Sequence, residues 1–257
     1  VQAVKWIISL GLALLSMGIS AAQEVRVGAY HFPPYVVAPG PGESKGLLPS
    51  MLKHLNELQS DFRFVVVPTS SARRHRDFNQ GRYDLIFFES PTWGWQESAF
   101  DKVDLQLQDA ELFVARAEPG RGEDYFDSLS GKRLALIHGY HYAFAQFNTN
   151  PQFLVANYQA ELGYSCDSNL LRVIHGRSDV ALVTRSYLED FLRRHPEHTD
   201  NLLISRRIDQ LYRHKALLRP DAPISVGQLE PLLRSFRDSG RQQALFKPFG
   251  IHPPSPD

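Results

Sequence analysis

Gly81-Arg82-Tyr83-Asp84-Leu85-Ile86-Phe87-Phe88 and Gly176-Arg177-Ser178-Asp179-Val180-Ala181-Leu182-Val183 share one pattern, 95 positions apart. In each, a glycine closes a short helical run, a polar pair turns the chain, and four apolar residues follow as a buried strand. The flanking segments repeat in the same order. Residues 25–30 (VRVGAY) and 133–137 (RLALI) are strand-like, and each runs into a loop rich in aromatic residues or histidine. The first loop reads Tyr30-His31-Phe32-Pro33-Pro34-Tyr35, where two prolines forbid a helix. The second reads His138-Gly139-Tyr140-His141-Tyr142, with a helix expected to follow. After Gly46, apolar residues at 48, 51, 52, 55 and 58 keep helical spacing, and 62–67 is a β-branched and aromatic run. Strands alternating with helices imply mainly parallel sheets flanked by helices. Two such units imply two lobes.

Two extended segments join the units. Residues 101–116 alternate partly, through Leu105, Leu107, Leu112 and Val114, and lead into the second unit; 211–218 (LYRHKALL) lead back. The expected organisation is a leader at 1–22, a first lobe at 23–103, a second at 104–210, a return to the first at 211–250 and a loose tail at 251–257. Ser186 to Glu189 reads as a capping box opening a helix. Ser225 and Gln228 resemble another, but Pro231 would lie inside that helix, so its regular part is expected to begin near Pro231.

The 257 residues carry 28 basic and 28 acidic side chains, which removes the electrostatic footprint of a general nucleic-acid binder. One cysteine, Cys166, excludes an internal disulfide framework and any multi-cysteine metal site. Lys5, an apolar run over 7–18 and Ser20-Ala21-Ala22 form an export-signal pattern with cleavage before Gln23. The run is shorter than the roughly 20 residues that span a bilayer. Its removal takes away only Lys5, leaving 27 basic and 28 acidic groups on a chain expected to be exported.

Five stretches occur in a familiar order over nearly the whole chain: VRVGAYHFPPY, GLLPSMLKHLNEL, GRYDLIFF, SLSGKRLALIHGYHY and LLRVIHGRSDVALV. On these the chain resembles family 3 of the periplasmic solute-binding proteins, the amino-acid-type binders. The resemblance implies an α/β, two-lobe type II periplasmic binding protein fold. It also implies a periplasmic location, two crossover strands, a ligand held between the lobes, and delivery to an ABC-type importer in the inner membrane. A soluble sensor that presents itself to a membrane receptor, and a type II-fold enzyme such as a dehydratase, are the alternatives. The family's amino-acid binders carry S-x-T-x-x-R after the first buried strand, its arginine pairing the ligand α-carboxylate. Here Glu89-Ser90-Pro91-Thr92-Trp93-Gly94-Trp95-Gln96 stands there, without arginine. The acidic residue that receives the α-ammonium is replaced by Thr184-Arg185. The resemblance therefore carries the fold and leaves amino-acid specificity behind.

Ligands of such folds lie at strand C-terminal ends. That places Tyr30, Phe32, Tyr35, Glu89, Trp93 and Trp95 in the first lobe as candidates, an aromatic wall with one carboxylate. Arg73 and Arg74 open a helix, against its dipole, and are candidates for an anionic group. Tyr140, Thr184 and Arg185 are the second-lobe candidates, with amides near Gly139 as possible anion donors. Asp84 and Asp179 are expected to stabilise the turns before their strands. His138-x-x-His141 and His195-x-x-His198 lack an evident third ligand, so no metal or other cofactor is expected. Nucleophile-elbow and phosphate-loop motifs do not occur, so no enzyme is expected. The expected protein is a binder of a small polar or aromatic-containing solute, and a monomer.

Overall fold

The computed structural model describes residues 21–40 and 45–254. The expected leader lies outside them except for Ala21 and Ala22, as does the end of the tail. In the first lobe the order is β1 (Gln23–Ala29), α1 (Leu47–Glu57), β2 (Phe62–Pro68), α2 (Arg74–Asn79) and β3 (Leu85–Glu89). The long strand β4 (Asp101–Arg116) then crosses to the second lobe. There follow β5 (Leu134–Ile137), α3 (Pro151–Tyr158), β6 (Ala160–Gly163), α4 (Cys166–Ile174), β7 (Val180–Thr184) and α5 (Arg185–Arg194). The equally long β8 (Leu202–Leu218) returns, and α6 (Val226–Asp238) and α7 (Arg241–Phe246) finish the first lobe.

The strand order is β2-β1-β3-β8-β4-β7-β5-β6. Each lobe has three parallel strands, and the crossover strand beside them is antiparallel: β8 against β3, β4 against β7. Two separate sheets were the sequence expectation. Instead β4 and β8 pair with each other along most of their length and fuse the halves into one eight-stranded ladder. A register shift between Asp104 and Gln108 contains Gln106, at φ 53°, and the apolar core divides nearby. Leu105 and Leu107 pack with the first lobe, Ala110 and Leu112 with the second. In the second lobe the strands bury both faces. Ala135, Ile137, Ala181 and Val183 face one cluster, while Leu134, Leu136, Val180 and Leu182 face the other, the period-two alternation of a doubly covered sheet.

The repeated G-R-x-D pattern has one structural meaning. Gly81 and Gly176 sit at φ 69° and 68°, the left-handed turn that ends a helix without a Cβ clash. The aspartates reach across to the neighbouring strand rather than serving only their own turn. Asp84 accepts from Arg26 N at 2.8 Å and Nε at 3.0 Å; Asp179 accepts from Arg133 N at 2.7 Å and Nε at 3.0 Å. Each clamp fixes where the central strand of its lobe begins.

Three local expectations are corrected. Helix α5 starts at Arg185, with Thr184 as its N-cap accepting from Tyr187 N, because Ser186 donates its hydroxyl to Asp109 instead. Helix α6 starts at Val226, where the Gln228 side chain accepts from Ser225 N at 2.9 Å, and it runs on through Pro231. The tail is pinned through residue 252, with Ile251 buried and the His252 carbonyl accepting from Gln108 N at 3.0 Å.

Candidate functional site

A narrow cavity of about 20 Å3, room for about one water, lies where the two lobes meet and close on each other. The first lobe supplies Tyr30, Phe32, Arg74 and Trp93, and the second supplies Gly139, Tyr140 and His141. The crossover strands add Glu111 from β4 and Gln210 from β8. The lobes touch around it. Tyr140 Oη donates to the His31 carbonyl at 3.0 Å, and Ser71 Oγ donates to the His138 carbonyl at 3.0 Å. Gly139 has φ 78°, and a Cβ there would stand 2.8 Å from Ser71 Oγ, so this contact requires glycine.

Aromatic rings form the walls. Phe32 meets Trp93 and Tyr140 edge-on at centroid distances of 5.8 and 5.7 Å. Trp93 Nε1 donates to Gln210 Oε1 at 2.9 Å, and Gln210 Nε2 donates to the His141 carbonyl at 2.6 Å. One amide side chain thereby ties a first-lobe tryptophan to a second-lobe loop.

Arg74 is 2% exposed and stands beside Glu89, which is fully buried, with Nε 3.2 Å from Oε1. The Glu89 carboxyl also accepts from Trp95 Nε1 at 2.8 Å. Burial pushes the Glu89 carboxyl up, while Arg74 and the Trp95 hydrogen bond pull it back toward the ionised form. Phe88, at φ 63° within a β-bulge before Glu89, bends the end of β3. The Arg74 guanidinium donates further to the Ser71 and Trp93 carbonyls, at 2.5 and 3.2 Å, and to His141 Nδ1 at 3.3 Å. Burial, then Arg74, then His75 hold the His141 imidazole down at about 2, so it is neutral. His75 is lowered to about 4, mainly by burial and then by Arg74.

Of the residues the sequence singled out, Tyr30, Phe32, Arg74, Trp93 and Tyr140 line the cavity. Glu89 and Trp95 lie one layer behind it, both fully buried, supporting Arg74. Tyr35 is also buried away from it, donating to Asp109 Oδ2 at 2.8 Å and lying 2.8 Å from His214 Nε2. Arg73 points to solvent and donates to Ser70 Oγ at 3.2 Å, since one step along a helix rotates a side chain by about 100° from Arg74. Thr184 is occupied as a helix cap, and Arg185 begins that helix, half-buried and outside the cavity lining. The loop after Gly139 forms a single 3₁₀ turn over Ala143–Ala145 instead of a helix. Its amides at Ala143 and Phe144 donate to Asp209 at 2.7 and 2.8 Å, so the chain itself fills that anion position. His138 stacks on Tyr164 while His141 faces Arg74, and among the described residues no cluster of three or more His, Cys, Asp or Glu suits a metal.

Glu111 and Gln210 escaped the sequence reading, which weighs His141 only as a metal ligand. Glu111 had a signal: it continues the Phe113 and Ala115 row of β4, so a carboxylate sits in an apolar face. It is 4% exposed, and its carboxyl is held well above the usual range by burial, then by Asp209 and Asp109.

Comparison with solved structures matches this architecture over about nine-tenths of the chain. An ABC uptake transporter substrate-binding protein from Streptococcus pneumoniae with bound histidine is 17% identical, at TM-score 0.70, over 91% of this chain and 95% of that one. The fold is that of the type II periplasmic binding proteins. The GluR0 ligand-binding core in complex with L-glutamate shares it at TM-score 0.67 and 13% identity, covering 90% and 99% of the two chains. So does an ancestral amino-acid-binding protein described as a precursor of cyclohexadienyl dehydratase, at TM-score 0.62 and 14% identity, covering 88% and 95%. No protein-family model and no curated protein matches the sequence. Among the described residues no helix of this type II fold is long and apolar enough to cross a membrane.

Proposed function

We propose that the protein is a periplasmic solute-binding protein that closes its two lobes on a small polar or aromatic-containing solute and presents it to an ABC-type importer. The observation that carries this reading is the aromatic-walled cavity built jointly by both lobes and both crossover strands. A site assembled only when the lobes meet couples occupancy to closure, and closure is what a membrane partner reads. The residues that receive the solute are Tyr30, Phe32, Arg74, Trp93, Glu111, Tyr140, His141 and Gln210, and no catalytic group or cofactor is assigned.

The test is a thermal-shift screen of amino acids, polyamines, aromatic acids and short peptides, followed by mass spectrometry of the recovered solute. A binder gains about 2.7 kcal/mol at a hundred times Kd and releases its ligand unchanged. Trp93→Ala is expected to abolish the shift while leaving a folded protein. A chemically altered solute would make the protein an enzyme. No shift with any class would remove the binding role.

A further inference from the structure

The charged side chains and most of the polar side chains around the cavity are already committed, with Glu111 the exception among the charged ones. Arg74 faces Glu89 and three further acceptors. Gln210 bridges Trp93 and His141. The Tyr140 hydroxyl is held by the His31 carbonyl, and the turn amides of Ala143 and Phe144 by Asp209. Glu111 alone among the charged side chains lining the cavity has neither a hydrogen-bond nor an ion-pair partner among the described residues, although it is 96% buried. A buried carboxyl without a partner is costly, and a ligand that supplies a donor or a positive charge removes that cost. The walls suit the same ligand: aromatic rings such as those of Phe32, Trp93 and Tyr140 line the cavity, and a cation placed over a ring face is attracted to it.

The nearest receivers of the opposite charge are already matched. The Arg74 guanidinium is matched by the Glu89 carboxylate, and the second-lobe amides that would hold an anion are capped by Asp209. The formal charge of the cavity is thus set by Glu111. We propose that the cleft selects small organic amines bearing a cation and no carboxylate, with Glu111 on the crossover strand receiving the ammonium group. This rests on the solute-binding reading above and narrows it. It also places the specificity group on a strand that belongs to both lobes, so that the ligand charge acts at the segment joining them.

The experiment compares amines with the amino acids that differ from them by one carboxylate: histamine with histidine, agmatine with arginine, and phenethylamine with phenylalanine. Each is titrated by calorimetry into the exported chain and its Glu111→Gln and Glu111→Asp variants. At least one amine is expected to bind at least tenfold more tightly than its amino acid. Glu111→Gln is expected to weaken that amine at least a hundredfold, and Glu111→Asp, which keeps the charge, to retain the preference for the amine. Tighter binding of the amino acids, or of neutral or acidic solutes from the broad screen, would overturn the amine assignment while leaving a solute-binding protein. Equal amine affinity in wild type and Glu111→Gln would overturn the role of Glu111. If no solute of any class binds the wild type, the solute-binding reading falls and this inference falls with it. Should Glu111→Gln fail to fold, the wild-type comparison of each pair together with Glu111→Asp decides the matter.

Discussion

The two lobes are built alike and equipped differently. Each has three parallel strands beside an antiparallel crossover strand, and each has an Arg–Asp clamp where the chain turns into its buried strand. The difference begins at the ends of those strands. In the first lobe β3 ends at Glu89, which holds Arg74 at the cavity. In the second lobe β7 ends at Thr184, which caps a helix and offers the cavity nothing. One scaffold therefore yields a charged, aromatic wall on one side and a mostly backbone-and-tyrosine wall on the other. The shared elements position strands; the few residues after each strand decide the chemistry.

The largest way to break this contrast is Arg74→Met. It strands the Glu89 carboxylate in the interior, and about 3–5 kcal/mol of stability should be lost in urea unfolding. Replacing both partners, as Arg74→Met with Glu89→Leu, should recover most of it. Equal losses in the single and double variants would mean that the pair is not the source of the cost. The clamps come next. Asp84 is almost fully buried and its loss in Asp84→Ala should cost about 1.5–3 kcal/mol, while Asp179→Ala should cost visibly less because the Asp179 side chain is itself 30% exposed, against 6% for Asp84, and solvent screens it. Matching losses would show that the two clamps are equivalent despite their burial.

The third prediction concerns pH. Burial, then Asp209 and Asp109, hold the Glu111 carboxyl above its unfolded value near 4.3, and Tyr212 of β8 and Tyr140, Tyr142 and Cys166 of the second lobe bring no positive charge to it. With no ligand, the native state then binds more protons than the unfolded one above pH 4.3, so stability falls as pH rises. Glu111→Gln should remove up to about 1.4 kcal/mol per pH unit of that slope, read from unfolding curves between pH 4 and 8. Parallel curves for the two proteins would place an ionised carboxylate in the empty cleft. Smallest is Thr184→Ala, expected to cost about 1 kcal/mol as a lost helix cap and to leave solute binding unchanged. A lost binding response there would return Thr184 to the cavity.

Much of the scaffold was legible because it rests on periodicity. The apolar strands, the helix spacing of α1 and the paired G-R-x-D entries are local patterns, and local patterns survive in one dimension. The cavity was legible only in part. Tyr30, Phe32, Trp93 and Tyr140 follow strand ends and line it, whereas Tyr35 and Trp95 satisfy the same sequence rule and are buried elsewhere. Arg73 and Arg74 are adjacent in sequence, yet one faces solvent and the other is buried.

By itself the sequence determined two α/β units, their order and the two segments that join them, because strand and helix periods and turn glycines are encoded residue by residue. Tertiary structure alone decided which polar groups neutralise one another. Arg74 finds Glu89, Asp209 finds the turn at Ala143, and Glu111 is left facing the cavity without a partner. Such pairings depend on distances across the cleft and between strands far apart in the chain. No periodicity records them, and they set the charge that a solute meets.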